Sequence, residues 1–268
     1  RELSRPAMML TFEPMPREYL AADNPPARLT SWRERWRVLQ RTGLSYVLQL
    51  RFGEALRNLS GEEFARLLAE VLKAPAVVIG HDFRFGRNGE ATAEMLREAG
   101  RRLGFAVDVV PPVLVDGVRV SSSLVRSALE RGDLEAARRW LGRPYSMIGR
   151  VVRGQQLGRD LGFPTANLRL GRKRSALQGI FAVRVHGIGP QQALPGVASL
   201  GTRPTVGGTV PVLEVHLFDF TGDLYGREIE VEFVAKLRDE ERFPSLEALV
   251  EQMHQDAAQA RRILGLTP

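Results

Sequence analysis

The stretch "VLEVHLFDF", Val212 to Phe220, decides the architecture of the second half of the chain. Its apolar residues alternate with others at a period of two, as in a half-covered β-strand, so Leu213, Val215 and Leu217 face one side and Glu214, His216 and Phe218 the other. Runs of the same kind surround it: "MIGRVVRG" (Met147–Gly154), "GIFAVRVHGIG" (Gly179–Gly189), "GVASLG" (Gly196–Gly201) and "EIEVEFVAKLR" (Glu228–Arg238). Short β-rich runs separated by Gly and Pro predict a compact antiparallel barrel. After Pro244, Ser245 is placed to cap a last helix. Leu246, Leu249, Val250, Met253, Ala257 and Ala260 give that helix one apolar stripe, expected to pack on the barrel.

Upstream the period changes. "AMMLTF" (7–12) reads as a buried strand, and Ser31 with Glu34 forms a capping box before a helix that Gly43 stops ahead of "SYVLQL" (45–50). Ser60 with Glu63 forms a second box before "FARLLAEVLK" (64–73), with Leu67, Leu68 and Val71 on one face, and "AVVIG" (76–80) follows as a strand. A helix over Thr92 to Leu103 leads into "FAVDVV" (105–110), and two short helices follow, one after "SSS" (121–123) and one near Asp133. Strands separated by such helices predict right-handed crossovers and a parallel sheet. The fold class is therefore α/β plus β, with an α/β domain over 1–143 and a β-barrel domain over 144–268. Because the chain enters a strand almost at once from Arg1, that strand is expected to be the second of a nucleotide-binding sheet whose first strand and loop are missing.

Composition removes several kinds of chemistry. With no cysteine among 268 residues, disulfides, thiolate nucleophiles and cysteine-held zinc are excluded. The four histidines, His81, His186, His216 and His254, are far apart in sequence and form no local zinc motif. No uninterrupted apolar window is long enough to span a membrane and no signal-peptide pattern opens the chain, so a cytoplasmic protein is expected. The net charge of +7 comes from arginines spread over both halves, with only three lysines, which suits a solvated surface that attracts small anions. A basic RNA-binding barrel is the competing reading. It would need exposed aromatics, whereas Phe181, Phe218 and Phe233 lie in apolar β runs and are expected to pack, so no nucleic-acid partner is expected. No lysine follows a glycine, which excludes a Walker A loop, and Gly187 with Gly189 has Gln192 where a dinucleotide fingerprint needs a third glycine, so that segment reads as a turn.

The candidate chemistry lies in "LGRDLGFPTANLRL", Leu157 to Leu170. Glycines allow backbone N–H groups to approach an anion, and Thr165 and Asn167, two apart in an extended segment, point the same way with oxygens suited to a metal ion. A simple hairpin entrance has the same composition, and Glu214 taken alone fits either a solvated strand face or an acid–base site.

"GRVVRGQQLGRDLGFPTANLRL", "GIFAVRV", "LPGVASLGTRPTV", "LEVHLFDF" and "DLYGREIEVEF" together resemble the riboflavin kinase module of the bacterial bifunctional riboflavin kinase/FAD synthetases. "TFEPMP", "GHDFRFG" and "VRVSSSLVR" resemble the adenylyltransferase module of the same family, so the resemblance runs nearly end to end. It implies that Thr165 and Asn167 hold Mg²⁺ and the phosphates of ATP, with Gly154, Gly158, Gly162, Phe163 and Pro164 forming the surrounding flap and turn at the mouth of the barrel. It implies Glu214 as catalytic base for phosphorylation of riboflavin to FMN. Tyr225, Arg242 and Phe243 are implied by position as flavin contacts. For adenylylation of FMN to FAD the resemblance implies Asp82, Phe83, Arg119, Ser122, Ser123 and Arg126. Three departures fall in that module: no His-x-Gly-His element occurs in the chain, Met15 stands where many relatives have His, and Ser123 replaces a frequent Thr. They leave a kinase with a structural front half as the alternative within the family; FAD synthesis is expected if the missing segment belongs to the full-length protein.

Overall fold

The structure is a computed structural model describing residues 4–154, 158, 161–189, 193–205 and 208–266. The chain divides into two compact units, Arg1–Pro26 with Gly43–Val120 and Ala27–Thr42 with Ser121–Pro268.

The first unit is α/β. Strand β1 (Met8–Glu13) is followed by the short helix α1 (Pro16–Leu20); α2 (Trp32–Leu39) belongs to the second unit. Strand β2 (Tyr46–Arg51) runs parallel to β1, with Leu10 opposite Leu48. After α3 (Glu54–Arg57) and α4 (Gly61–Arg66), β3 (Ala76–Gly80), α5 (Ala93–Leu103) and β4 (Ala106–Val110) form a second parallel pair. The parallel pairing expected from the alternation is present, as two separate two-stranded sheets among the described residues. A small hairpin, β5 (Leu114–Val115) and β6 (Val118–Arg119), ends the unit.

Two caps sit where the sequence places them, and a third closes the start of α5. The hydroxyls of Ser31 and Ser60 accept from the Glu34 and Glu63 N–H groups, and that of Thr92 from the Met95 N–H. Two expectations are corrected. Strand β1 is half-exposed rather than buried, with Met8 at 42%, because the described strands pair it on one edge only. Val71 does not share the buried face of Leu68: α4 passes into a π-turn over Leu67–Val71, closed by Leu72 N–H to Leu67 O. The wider turn rotates Val71 outward, where it is 69% exposed.

The second unit is built on a closed barrel. Helices α6 (Ser122–Glu130) and α7 (Leu134–Leu141) lead into β7 (Ser146–Val152), β8 (Ala166–Arg169), β9 (Gly179–His186), β10 (Leu194–Thr205), β11 (Gly208–Leu217) and β12 (Glu228–Arg238). The strands close in the order β10-β11-β8-β7-β12-β9, all neighbours antiparallel. Leu213, Val215, Phe181, Val183, Leu200 and Val231 fill the interior, and Leu129 and Ala137 from α6 and α7 join the same core. Phe181, Phe218 and Phe233 are all buried and offer no stacking platform. Gly187 turns the chain after β9 at φ +89°; Gln192 lies outside the described residues.

Helix α8 (Leu246–Ile263), capped by Ser245, crosses the outer wall of the barrel, where Ala260 packs with Ala182 and Phe218. Its stripe is divided: Ala257 and Ala260 pack on the wall, Leu249 and Met253 line a cavity, and Leu246 is exposed.

Helix α2 is tied to the barrel by charge. Glu34 is buried, accepts the Ile148 N–H at 2.7 Å, and pairs with the fully buried guanidinium of Arg172. Arg172 also donates to Tyr145 Oη at 3.3 Å and Arg28 O at 3.2 Å. Arg172→Met would strand the Glu34 charge, so the barrel unit is expected to lose about 3–5 kcal/mol in urea unfolding, with part of the loss recovered in Glu34→Leu/Arg172→Met. A single variant as stable as the parent would contradict the assignment.

Candidate active site

The register of the barrel writes a row of side chains across its outer face. Asn167 on β8 stands opposite Glu214 on β11, Glu214 opposite Ser199 on β10, Ser199 opposite Ile180 on β9, and Ile180 opposite Arg238 on β12. Direct antiparallel partners project to the same side, and the neighbours of Glu214, Leu213 and Val215, are in the core. The row therefore points away from the barrel interior. This corrects the expected placement at the barrel mouth: the polar groups use the outside of the wall because the interior is filled with apolar side chains.

Leu249, Met253 and Asp256 of α8 overhang the row, and Phe243 in the segment before the helix completes that side, enclosing a cavity of about 420 Å³. Gly158, Phe163, Thr165, Asn167, Arg203, Glu214 and His216 line it as well. The structure thus gathers the kinase candidates from β8, β11 and the turn before β8. Gly154 lies against the Asn167 amide, where any Cβ would collide, and a Cβ on Gly158 would strike the Phe163 carbonyl and reach Thr165 Oγ1 at 3.5 Å. Phe163 is buried, its N–H donating to Gly158 O at 2.7 Å, and Gly162 turns the chain beside it at φ +80°. The Pro164 carbonyl lies 3.0 Å from His216 Nδ1.

The site is electrostatically mixed. Burial pushes the Glu214 carboxyl above the ordinary carboxylate range, Arg203 pulls it back and Glu240 adds to the rise. Arg203 Nη2 lies 3.7 Å from Glu214 Oε1. Arg238 grips the buried Asp256 with Nη2–Oδ2 at 2.8 Å, joining the wall to α8, and its guanidinium lies 5.4 Å from the centre of the Phe243 ring.

The Thr165 hydroxyl and the Asn167 amide enter no side-chain hydrogen bond of the described residues. Two neutral oxygen donors suit a hard ion such as Mg²⁺ that arrives with phosphate and water ligands. No described cluster of three His, Cys, Asp or Glu residues could hold a metal by itself.

The remaining candidates are placed as follows. Tyr225 and Arg242 do not line the cavity; Tyr225 is half-exposed with the Arg153 guanidinium 5.7 Å from its ring centre. In the first unit Arg119 Nη2 pairs with Asp82 Oδ2 at 2.6 Å, and Phe83 stacks on Phe85 at 5.5 Å. Ser122 and Ser123 open α6 in the second unit, and Arg126 Nε donates to Ala27 O at 2.7 Å. The sequence reading did not single out Ser199, Arg203, Arg238, Glu240 or Asp256. The first two lie on a neighbouring strand and the rest where β12 meets α8, so only pairing and packing bring them to Glu214.

Fold and site define an enzyme that joins a nucleotidyltransferase-like α/β unit to a kinase barrel. Residues 141–264 match the riboflavin kinase family and residues 1–124 the FAD synthetase family. The bifunctional riboflavin kinase/FMN adenylyltransferase of Escherichia coli (strain K12) is 44% identical over the whole of this chain and 85% of its own length. That of Pseudomonas fluorescens is 45% identical over 98% of this chain and 84% of its own length. A crystal structure described as a macrolide-efflux protein from Streptococcus pneumoniae shares the fold at TM-score 0.79 and 31% identity, over 97% of this chain and 85% of that one. No helix of the described residues is long and apolar enough to cross a membrane. The chain belongs to the bifunctional riboflavin kinase/FMN adenylyltransferase family, whose members use ATP as co-substrate.

Replacing Arg203 by Gln removes a cation that favours ionised Glu214, so the carboxyl pKa is expected to rise further. Carboxyl-carbon NMR titration of the variant checks this, and a downward shift would contradict it.

Proposed function

We propose that the second unit transfers the γ-phosphoryl group of ATP to the terminal ribityl hydroxyl of riboflavin, giving FMN and ADP, and that Glu214 is the general base. The observation that carries this reading is the direct pairing of Asn167 with Glu214 beside Thr165 in one cavity. Opposed side chains in such a pair start about 5 Å apart at Cβ, which sets a base within reach of a phosphate held by its neighbours. Family membership supports the same substrates.

Riboflavin's ring would lie against the apolar part of the cavity, formed by Ile180, Val197, Phe243 and Met253, with its ribityl chain running towards Glu214. Ionised Glu214 accepts the hydroxyl proton as the oxygen attacks, and burial makes it a stronger base than an exposed glutamate. The Thr165 hydroxyl and Asn167 amide orient the phosphate chain and would ligate Mg²⁺. When bound, that ion draws charge from the phosphoryl oxygens. Gly154 and Gly158, having no Cβ, let the chain pack directly on the Asn167 amide and the Phe163 carbonyl beside the nucleotide site. Overhang by α8 keeps bulk water from the attacking oxygen.

Adenylylation of FMN by ATP to FAD is assigned to the adenylyltransferase module; Asp82, Phe83 and Arg119 of the first unit, and separately Ser122, Ser123 and Arg126 of the second, are its candidate contacts to nucleotide and flavin. The corresponding functional division is 1–143 for this activity and 144–268 for the kinase, in line with the two family matches. The cytoplasm, with its ATP, is the compartment this reading assigns.

Incubation with riboflavin, ATP and Mg²⁺ followed by chromatography is expected to yield FMN; absence of FMN would overturn the kinase reading. Glu214→Gln should lower turnover by about 10²- to 10⁴-fold, and near-normal turnover would remove the base from the scheme. Thr165→Ala should weaken use of Mg·ATP while the thermal melt stays in place. An unchanged Mg²⁺ dependence would count against its proposed role.

A further inference from the structure

We infer that His216 is a positioning residue for the nucleotide site, its Nδ1–H holding the Pro164 carbonyl and through it the backbone that presents Thr165. This rests on the assignment of Thr165 to the phosphates.

The pairing of β8 with β11 begins at Ala166 opposite Val215. Pro164 and Thr165 therefore lie just beyond the ladder, where no strand hydrogen bond among the described residues fixes their peptide group. One step further along the same register falls His216. Its side chain shares the outer face with Glu214, two residues away on β11, and its Nδ1 is 3.0 Å from the Pro164 oxygen. A carbonyl oxygen only accepts, so Nδ1 carries the proton in this contact. The imidazole supplies the rung that the backbone does not.

A second set of contacts holds the same turn from the other side. The Phe163 ring meets His216 edge-on at 5.1 Å and 62°, and His254 of α8 at 4.8 Å and 69°. With the Phe163 N–H donating to Gly158 O at 2.7 Å, two neighbouring residues ahead of Thr165 are pinned through their main chain. Thr165 follows the pinned carbonyl by one peptide bond, so rotation of that peptide carries its Cα and hydroxyl with it. Removing the pin should degrade the nucleotide site and spare the flavin side of the cavity, which other elements build.

Three variants separate this role from simple packing. His216→Phe keeps a ring against Phe163 and loses the donor. His216→Asn returns an amide near the Nδ1 position, and His216→Gln carries the amide one carbon too far. Calorimetric titration with Mg·ADP and steady-state kinetics are the readouts. His216→Phe and His216→Gln are expected to weaken Mg·ADP binding and raise the KM for ATP about tenfold, the value of one hydrogen bond, with little change in kcat or in the KM for riboflavin. His216→Asn should recover most of the loss. Unchanged Mg·ADP affinity in His216→Phe, or a His216→Asn protein as weak as His216→Phe, would overturn the inference. If His216→Phe does not fold, Asn compared with Gln decides. FMN formation by the unsubstituted chain with no difference among the variants defeats this inference alone, whereas no FMN from the unsubstituted chain defeats the kinase reading.

Discussion

The pairing of Asn167 with Glu214 is the constraint on which the kinase unit depends. Because side chains alternate along a strand, a slip of one residue between β8 and β11 would send the amide and the carboxylate to different faces. The slip is resisted by the core: Leu213, Val215 and Leu168 are all buried in the barrel interior, and a shifted register would bring polar groups into it. Burial of apolar area thus sets the position of two polar groups that contribute nothing to that burial. Stability and chemistry use opposite faces of the same strands.

A barrel this full of side chains has no internal room for a ligand. The cavity forms outside, between the wall and α8, and the Arg238–Asp256 fork is what joins the two at that point. Asp256 is buried and also accepts from Gln252, so the charged contact is held by several hydrogen bonds. Glu214 sits a few strands away along the same row, close enough to the covered region for burial to raise its pKa and open enough for Arg203 to moderate it.

Much of this was legible in the amino-acid sequence, for identifiable reasons. The alternation in "VLEVHLFDF" defines two faces without any knowledge of the partner strand, and that division holds in the structure. Capping boxes at Ser31 and Ser60 are local devices, complete within four residues, and both form. What failed to show depends on pairing or on departures from regular geometry. The π-turn at Leu67–Val71 breaks the helical period that the apolar residues suggested. The burial of β1 was overestimated because hydrophobicity along a strand says nothing of which strands flank it. Ser199 and Arg203 lie within "LPGVASLGTRPTV" but nothing in that run marks them for the site; they and Asp256 reach it through register and the docking of α8.

The central claim is a spatial one: a base on β11 and phosphate-holding groups on and before β8 meet across one row of the barrel wall. The most direct measurement is a crystal structure of the chain with riboflavin, Mg²⁺ and a non-hydrolysable ATP analogue. The account predicts the terminal ribityl hydroxyl within hydrogen-bond distance of Glu214, and the nucleotide's phosphates against Thr165 and Asn167. A flavin or a triphosphate bound elsewhere on the barrel, with Glu214 touching neither, would contradict it.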